Sequence, residues 1–198
     1  MKTLYARITF TEPILGTSPN DEDIYRRFIG SKAPDAQTVD EEVEMLGADA
    51  VIEKGMTIFP KNAEGKPFIW DYQIKGFFKD SCSMLKKVPG TESSKIKAFK
   101  KEIDGLIFPA PREIVIEDGE ITTCQRPLRA QTMQGERVTL AMSEEISAGA
   151  HIDLEVTTLK DDYLPAIREW LDYGRLRGIG QWRNSGKGRF TWEELEVV

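Results

Sequence analysis

A chain of 198 residues, 40% hydrophobic and 30% charged, suits one domain with an ordinary core, or one domain carrying a large insertion. Its net charge of −6 argues against an indiscriminate nucleic-acid coat protein. No apolar run approaches the roughly 20 residues that cross a bilayer. Cys82, Cys124 and His151, the only residues of their kinds, leave almost no material for a disulfide framework, a zinc site or a histidine-dependent triad.

Leu4, Ala6, Ile8 and Phe10 alternate with Tyr5, Arg7 and Thr9, which predicts a half-buried first strand. The segment lacks a signal-peptide core, so a cytoplasmic protein without a membrane partner is expected. Pro13, Gly16 and Pro19 break the strand, and Asn20-Asp21 can cap a short helix through Phe28. Asp35 to Ala50 is acidic and reads as part helical, and Thr57 to Phe59 reads as another strand. A helix is predicted from Asp71 to Lys87, because Ile74, Phe77, Phe78, Cys82 and Leu85 recur every three to four residues. Cys82 falls in that stripe and is expected as a buried free thiol. Pro89-Gly90-Thr91 stops the helix, Ser93 to Ile103 is short, basic and amphipathic, and Leu106 to Phe108 is extended.

Glu113 to Glu120 reads as an edge strand with a turn at Asp118-Gly119, and Cys124 to Ala130 and Val138 to Ser143 continue a strand-rich stretch. His151 to Leu159 alternates strongly, with Ile152, Leu154 and Val156 on the apolar side and His151 on the polar, surface side. Asp162 is expected to cap a helix from Tyr163 to Arg177, with Pro165 in its first turn. A final strand runs from Phe190 to Val198. The predicted class is α+β: one domain over 1–198, a modified ferredoxin-like antiparallel sheet with helices on one face. Its sheet joins the first strand, the His151–Leu159 strand and the terminal strand. Insertions are expected around 19–54, the larger one after the first strand, and around 88–120.

Charge is uneven along the chain. Between Asp21 and Lys54 ten acidic residues face four basic ones, whereas between Lys75 and Lys101 eight lysines face Asp80 and Glu92. Near the end stands Gly178-Ile179-Gly180-Gln181-Trp182-Arg183-Asn184-Ser185-Gly186-Lys187-Gly188-Arg189-Phe190. Glycines permit positive φ and close backbone approach, and successive exposed N–H groups in such a loop can make an anion-binding concavity. A P-loop is excluded, because five residues separate Gly180 from Gly186 and Gly188 follows Lys187. A dinucleotide fingerprint would need glycine where Arg183 stands.

That tail resembles the glycine-rich signature of the RAMP superfamily, the RNA-binding proteins of CRISPR systems. Phe68-Ile69-Trp70-Asp71-Tyr72-Gln73-Ile74-Lys75-Gly76-Phe77-Phe78-Lys79 is similar to the strand-to-helix element of that superfamily's backbone subunits, with Asp71-Tyr72-Gln73 in place of their usual Pro-Gly-Ser-Ser run. Glu144 to Ala150 followed by a strand resembles the entry to their second half. The resemblance covers about two-thirds of the chain and implies an RRM-like core whose helix and glycine loop grip an RNA backbone. The shorter, more acidic chain fits a compact relative of phage or mobile-element origin.

The leading expectation is therefore a non-catalytic binder of RNA or another single strand, with no cofactor and no metal, and with CRISPR effector subunits as candidate partners. Lys75, Lys79, Arg183, Lys187 and Arg189 would contact phosphates, Gly186 and Gly188 would allow close approach, and Tyr72 or Trp182 could stack on bases. The alternatives are a protein-binding antagonist of CRISPR machinery, using the acidic segment from Asp21 to Glu53, and a metal-dependent ribonuclease using Asp21 or Asp23.

Overall fold

The first strand forms as its alternation dictates. In the computed structural model, which describes residues 1–20, 55–132 and 135–196, β1 spans Lys2–Phe10 and buries Leu4, Ala6, Ile8 and Phe10 on one face. β10 (His151–Thr158) pairs with it antiparallel from Lys2↔Thr158 to Thr9↔His151, and buries Ile152, Leu154 and Val156 on the same side. β11 (Phe190–Glu194) takes the other edge of β1, Phe10 opposite Phe190. These are the three neighbours expected from the sequence, although β11 stops at Glu194 rather than at the chain end.

The fourth member of this sheet is β6 (Ile107–Ala110), antiparallel to β10, giving the order β11-β1-β10-β6. The segment 88–120 is thereby built into the main sheet. It also supplies α2 (Phe99–Leu106) and β7 (Glu113–Val115), and the amphipathic stretch from Ser93 begins with a single 3-10 turn, Ser93–Lys95, before α2.

Two further sheets stand beside the main one. β5 (Phe68–Trp70) pairs antiparallel with β7 and leads directly into α1 (Asp71–Leu85). β8 (Ile121–Thr132) and β9 (Gly135–Ile146) form a long antiparallel pair. The short strands β2 (Ile14–Leu15), β3 (Ser18–Pro19) and β4 (Thr57–Ile58) complete that second sheet, all pairs antiparallel except the bridge Thr57↔Ser143. The single sheet expected from the sequence is thus accompanied by others. The insertion expected over 19–54 lies outside the described residues from 21 onward, as do the expected helix through Phe28 and the acidic stretch Asp35 to Ala50.

α1 buries Ile74, Phe77, Phe78, Ser81 and Cys82, the i, i+3, i+4, i+7, i+8 stripe of an amphipathic helix. α3 (Leu164–Arg177) buries Ala166, Ile167, Trp170, Leu171 and Gly174. The two stripes and the apolar face of the main sheet form one cluster, in which Phe78 meets Trp170 at 5.4 Å between ring centroids and Phe77 meets Phe190 at 5.4 Å. Burial pushes the Cys82 thiol pKa up, as expected of an inert core thiol. The cap expected from Asp162 does not form. Asp161–Tyr163 winds a tighter 3-10 turn instead, so Asp162 sits inside that turn rather than before the helix. His151 is more covered than a surface residue, its side chain 17% exposed and its Nδ1 3.5 Å from Asp118. No described helix is long and apolar enough to cross a membrane.

Candidate nucleic-acid interface

The glycine loop hangs from the C-terminus of α3. Gly178 ends the helix at φ 75° and donates its N–H to Gly174 O, after which the chain turns back on itself. Ile179 N–H donates to Gly188 O at 2.9 Å, so the two arms of the loop close into a neck. The neck is tight: a Cβ on Gly188 would lie 1.9 Å from Ile179 O, and one on Gly178 would lie 2.6 Å from Lys187 O. Gly188 N–H then donates to Pro13 O, and Arg189 O accepts from Thr11 and Glu12, fixing the neck to the segment after β1. The close approach that Gly188 permits is therefore made to the loop's own backbone. Gly186, at φ 89°, follows the 3-10 turn Arg183–Ser185, and a Cβ there would meet nothing nearer than the Arg189 guanidinium at 3.6 Å.

Each expected cation has a defined place. Arg183 donates to Asp80 on α1 at 2.8 Å, and Arg177 reaches the same carboxylate at 2.7 Å while also donating to Asn184 Oδ1. Burial pushes the Asp80 pKa up, but the hydrogen bond from Arg177 and the charges of Arg183 and Arg177 outweigh it and hold the carboxyl below its usual range. Lys187 pairs with Glu145 of β9 at 2.5 Å, both side chains mostly covered. Arg189 has a buried Nε with no hydrogen-bond partner. Lys75 and Lys79 lie on a different side of α1: Lys75 donates to Asp104 O and lies over the Phe108 ring, and Lys79 pairs with the Asp104 carboxylate at 2.5 Å. They face α2 and β6, apart from the loop. Tyr72 is exposed at the start of α1 and stacks on Trp70, ring planes 15° apart.

Between α1 and the loop runs a groove of about 270 Å³, lined by Thr17, Gln73, Gly76, Phe77, Ile179, Gly180 and Arg183. Gln73 shapes its rim, its Oε1 accepting the Trp70 N–H at 2.8 Å as half of a capping box and its Nε2 donating to Thr17 Oγ1 at 2.7 Å. Among the described residues, the N–H groups of Gly180, Gln181 and Trp182 donate to no backbone carbonyl. The sequence reading singled out the loop and the lysines of α1 but not the groove-facing Gln73 and Gly76, nor Asp80, Arg177 and Arg126, which hold the loop in place. Gly76 inside a helical pattern was the one available signal, because glycine there costs helix stability for no local reason. Asp21, Asp23 and the acidic segment to Glu53 lie outside the described residues.

No known family profile matches the sequence, and no curated protein matches it either. Among solved structures, the fold is similar to a chain in the cryo-EM structure of the Type III-B Cmr-beta bound to cognate target RNA. The TM-score is 0.53 at 13% sequence identity, and the match covers 100% of this chain and 60% of that one. Cmr6 from Pyrococcus furiosus, a crystal structure, is matched with a TM-score of 0.48 at 9% identity, over 96% of this chain and 97% of that one. The likeness to the Cmr-beta chain is one of fold.

Proposed function

We propose that this protein is a non-catalytic RAMP-like binder of RNA or another single strand, holding the phosphate backbone in the groove between α1 and the glycine loop. The observation that carries this reading is the groove itself. It is lined by Gly76, by Arg183 and by Gly180, whose N–H donates to no described backbone carbonyl, and Arg183 and Arg177 share the single carboxylate of Asp80. A phosphate there meets the Gly180 amide and an excess of guanidinium charge, the chemistry that recognises a sugar-phosphate strand without reading its sequence.

The fold likeness to a chain of an RNA-bound Type III-B assembly supports the same ligand class, and an assembly of that kind is the proposed setting. The order β11-β1-β10-β6 is the last-first-third-second order of a split β-α-β sheet, which supports a ferredoxin-like core. Lys187 and Arg189 contribute at the loop's far arm, Lys187 by exchanging Glu145 for phosphate. Lys75 and Lys79 add long-range attraction from beyond α1 rather than contacts in the groove.

The test is binding of fluorescein-labelled single-stranded RNA and DNA at about 50 and 200 mM salt, wild type beside Lys187→Ala with Arg189→Ala. Wild type should bind both strands with a clear salt dependence. The double variant should bind more weakly and with a shallower slope, by roughly 0.7 for each lost phosphate contact on a single strand. Wild type with no salt-sensitive binding at micromolar concentration overturns the proposal.

A further inference from the structure

Arg126 takes no part in the groove, yet among the described residues it is a buried cation whose hydrogen-bond acceptors are neutral. It stands on β8, only 7% exposed, and donates through Nη1 to Ser143 Oγ at 3.3 Å and through Nη2 to Gln181 Oε1 at 3.0 Å. Both acceptors are neutral, and its Nε is buried with no partner at all. No ion pair joins it to a carboxylate among the described residues. A buried guanidinium without a counter-charge is costly, so the contacts it does make need a reason.

Those contacts converge on the tip of the glycine loop. The guanidinium carbon lies 4.6 Å from the centroid of the Trp182 ring, a cation–π contact made by a cation itself removed from water. Gln181, held by Nη2, donates its own Nε2 to Gly16 O at 3.0 Å, so the residue before the indole is fastened both to β8 and to the segment between β2 and β3. Trp182 itself sits at φ 56°, ψ 31°, a left-handed conformation that a bulky side chain rarely adopts. Despite that strain and that anchoring, the side chain remains 36% exposed. A large aromatic forced outward and backed by a buried cation is more than loop packing requires, since Ile179 already fills the core beneath the loop.

We propose that Trp182 is a stacking platform for an unpaired nucleobase, and that Arg126 is the positioning residue that holds the indole at that angle. The proposal rests on the single-strand-binding reading and adds to it a contact to the base, distinct from those to phosphate. A flat π-face suits any base, so the platform favours unpaired bases without selecting a sequence. It also distinguishes Trp182 from Tyr72, whose ring is stacked on Trp70.

The experiment uses the full chain and two labelled single strands of equal length, one oligouridylate and one with the same backbone lacking bases. Wild type should prefer the base-bearing strand by about five-fold or more. Trp182→Ala should abolish that preference, whereas Trp182→Phe should keep most of it. Arg126→Met should reduce the preference, and adding it to Trp182→Ala should lower the preference no further, the signature of two residues acting as one unit. Wild-type binding that is equal on the two strands refutes the platform and leaves the backbone-binding reading standing. Binding to neither strand removes both. An Arg126→Met protein weakened equally on the two strands refutes the positioning role. If that variant fails to fold by circular dichroism, the Trp182→Ala and Trp182→Phe pair still decides the platform.

Discussion

Gly76 separates what the groove does for stability from what it does for binding. It lies in the middle of α1, where glycine destabilises a helix by about 0.5–1 kcal/mol relative to alanine. A Cβ added there would meet no atom within 4 Å, so nothing inside the molecule requires its absence. Gly76→Ala should therefore stabilise the fold. At roughly 2–4 °C per kcal/mol for a domain of this size, the melting temperature should rise by about 1–4 °C. The same open space is the groove of about 270 Å³.

Gly76→Leu keeps a good helix former at the position but projects a side chain to where the strand is proposed to lie. Forcing a bound strand past such an obstruction costs about 1–3 kcal/mol, or roughly five- to hundredfold in affinity. Thermal unfolding and anisotropy titration on the same two preparations give both numbers. A Gly76→Leu protein that is folded and binds single-stranded RNA as wild type does would show that the strand does not occupy the groove. A destabilised Gly76→Ala protein would show that the glycine serves an internal role the geometry does not reveal.

Gly188→Ala should cost about 3 kcal/mol or more in denaturant unfolding, because a Cβ 1.9 Å from Ile179 O at φ 68° both strains the backbone and breaks the neck hydrogen bond. Gly186→Ala, strained but unobstructed, should cost about 1–2 kcal/mol, and equal costs for the two would refute the neck as the loop's structural element. Asp80→Asn should lose about 1–2 kcal/mol at neutral pH, since two arginines donate to that carboxylate. Its folded pKa is depressed, so this stability is present above the unfolded carboxylate value of about 3.9 and fades as pH falls through the lower folded value. The gap between wild type and variant should therefore close as pH falls below about 4, and a gap that persists there would mean that Asp80 acts by packing rather than charge.

What the sequence revealed and what it hid divide along a physical line. β1 and β10 were legible because each buries one face, and burial on one face writes a period of two into the sequence at Leu4 to Phe10 and Ile152 to Val156. α1 was legible for the same reason at a period of 3.6. β2, β3 and β4 are two residues each, too short for any period to exist, and β6 carries Pro109 in a four-residue edge strand. The site was half legible. Glycine spacing marked the loop and the charges marked its cations, but a cation's partner is a property of the fold. Arg183 meets Asp80 103 positions away, Lys187 meets Glu145 42 positions away, and Arg126 meets Gln181 55 positions away. Gly186 and Gly188 are the glycines expected to admit a ligand, yet Gly188, like Gly178, answers a crowding of the loop against itself.

The acidic total, which argued most strongly against a nucleic-acid ligand, loses its force once charge is placed on the fold. Residues 21–54 carry ten acidic and four basic side chains, a balance equal to the net charge of −6 of the whole chain, so the remainder is neutral. Within that remainder the signs are sorted by face. The side of the main sheet turned away from α1 and α3 presents Asp153, Glu155 and Glu193 around Arg7, whose guanidinium is already engaged by Asp153 at 2.7 and 2.8 Å. The loop side presents Arg177, Arg183, Lys187 and Arg189, with Asp80 and Glu145 as their carboxylate partners. Exposed charges farther apart than a Debye length, about 8 Å at physiological ionic strength, are largely screened from one another. A strand approaching the loop is attracted by local cations and scarcely senses the acidic face, whereas one approaching the open sheet is repelled. Under the proposed function the open sheet face is therefore closed to RNA by its own carboxylates, and counterion release at the groove depends on the cations gathered there rather than on net charge.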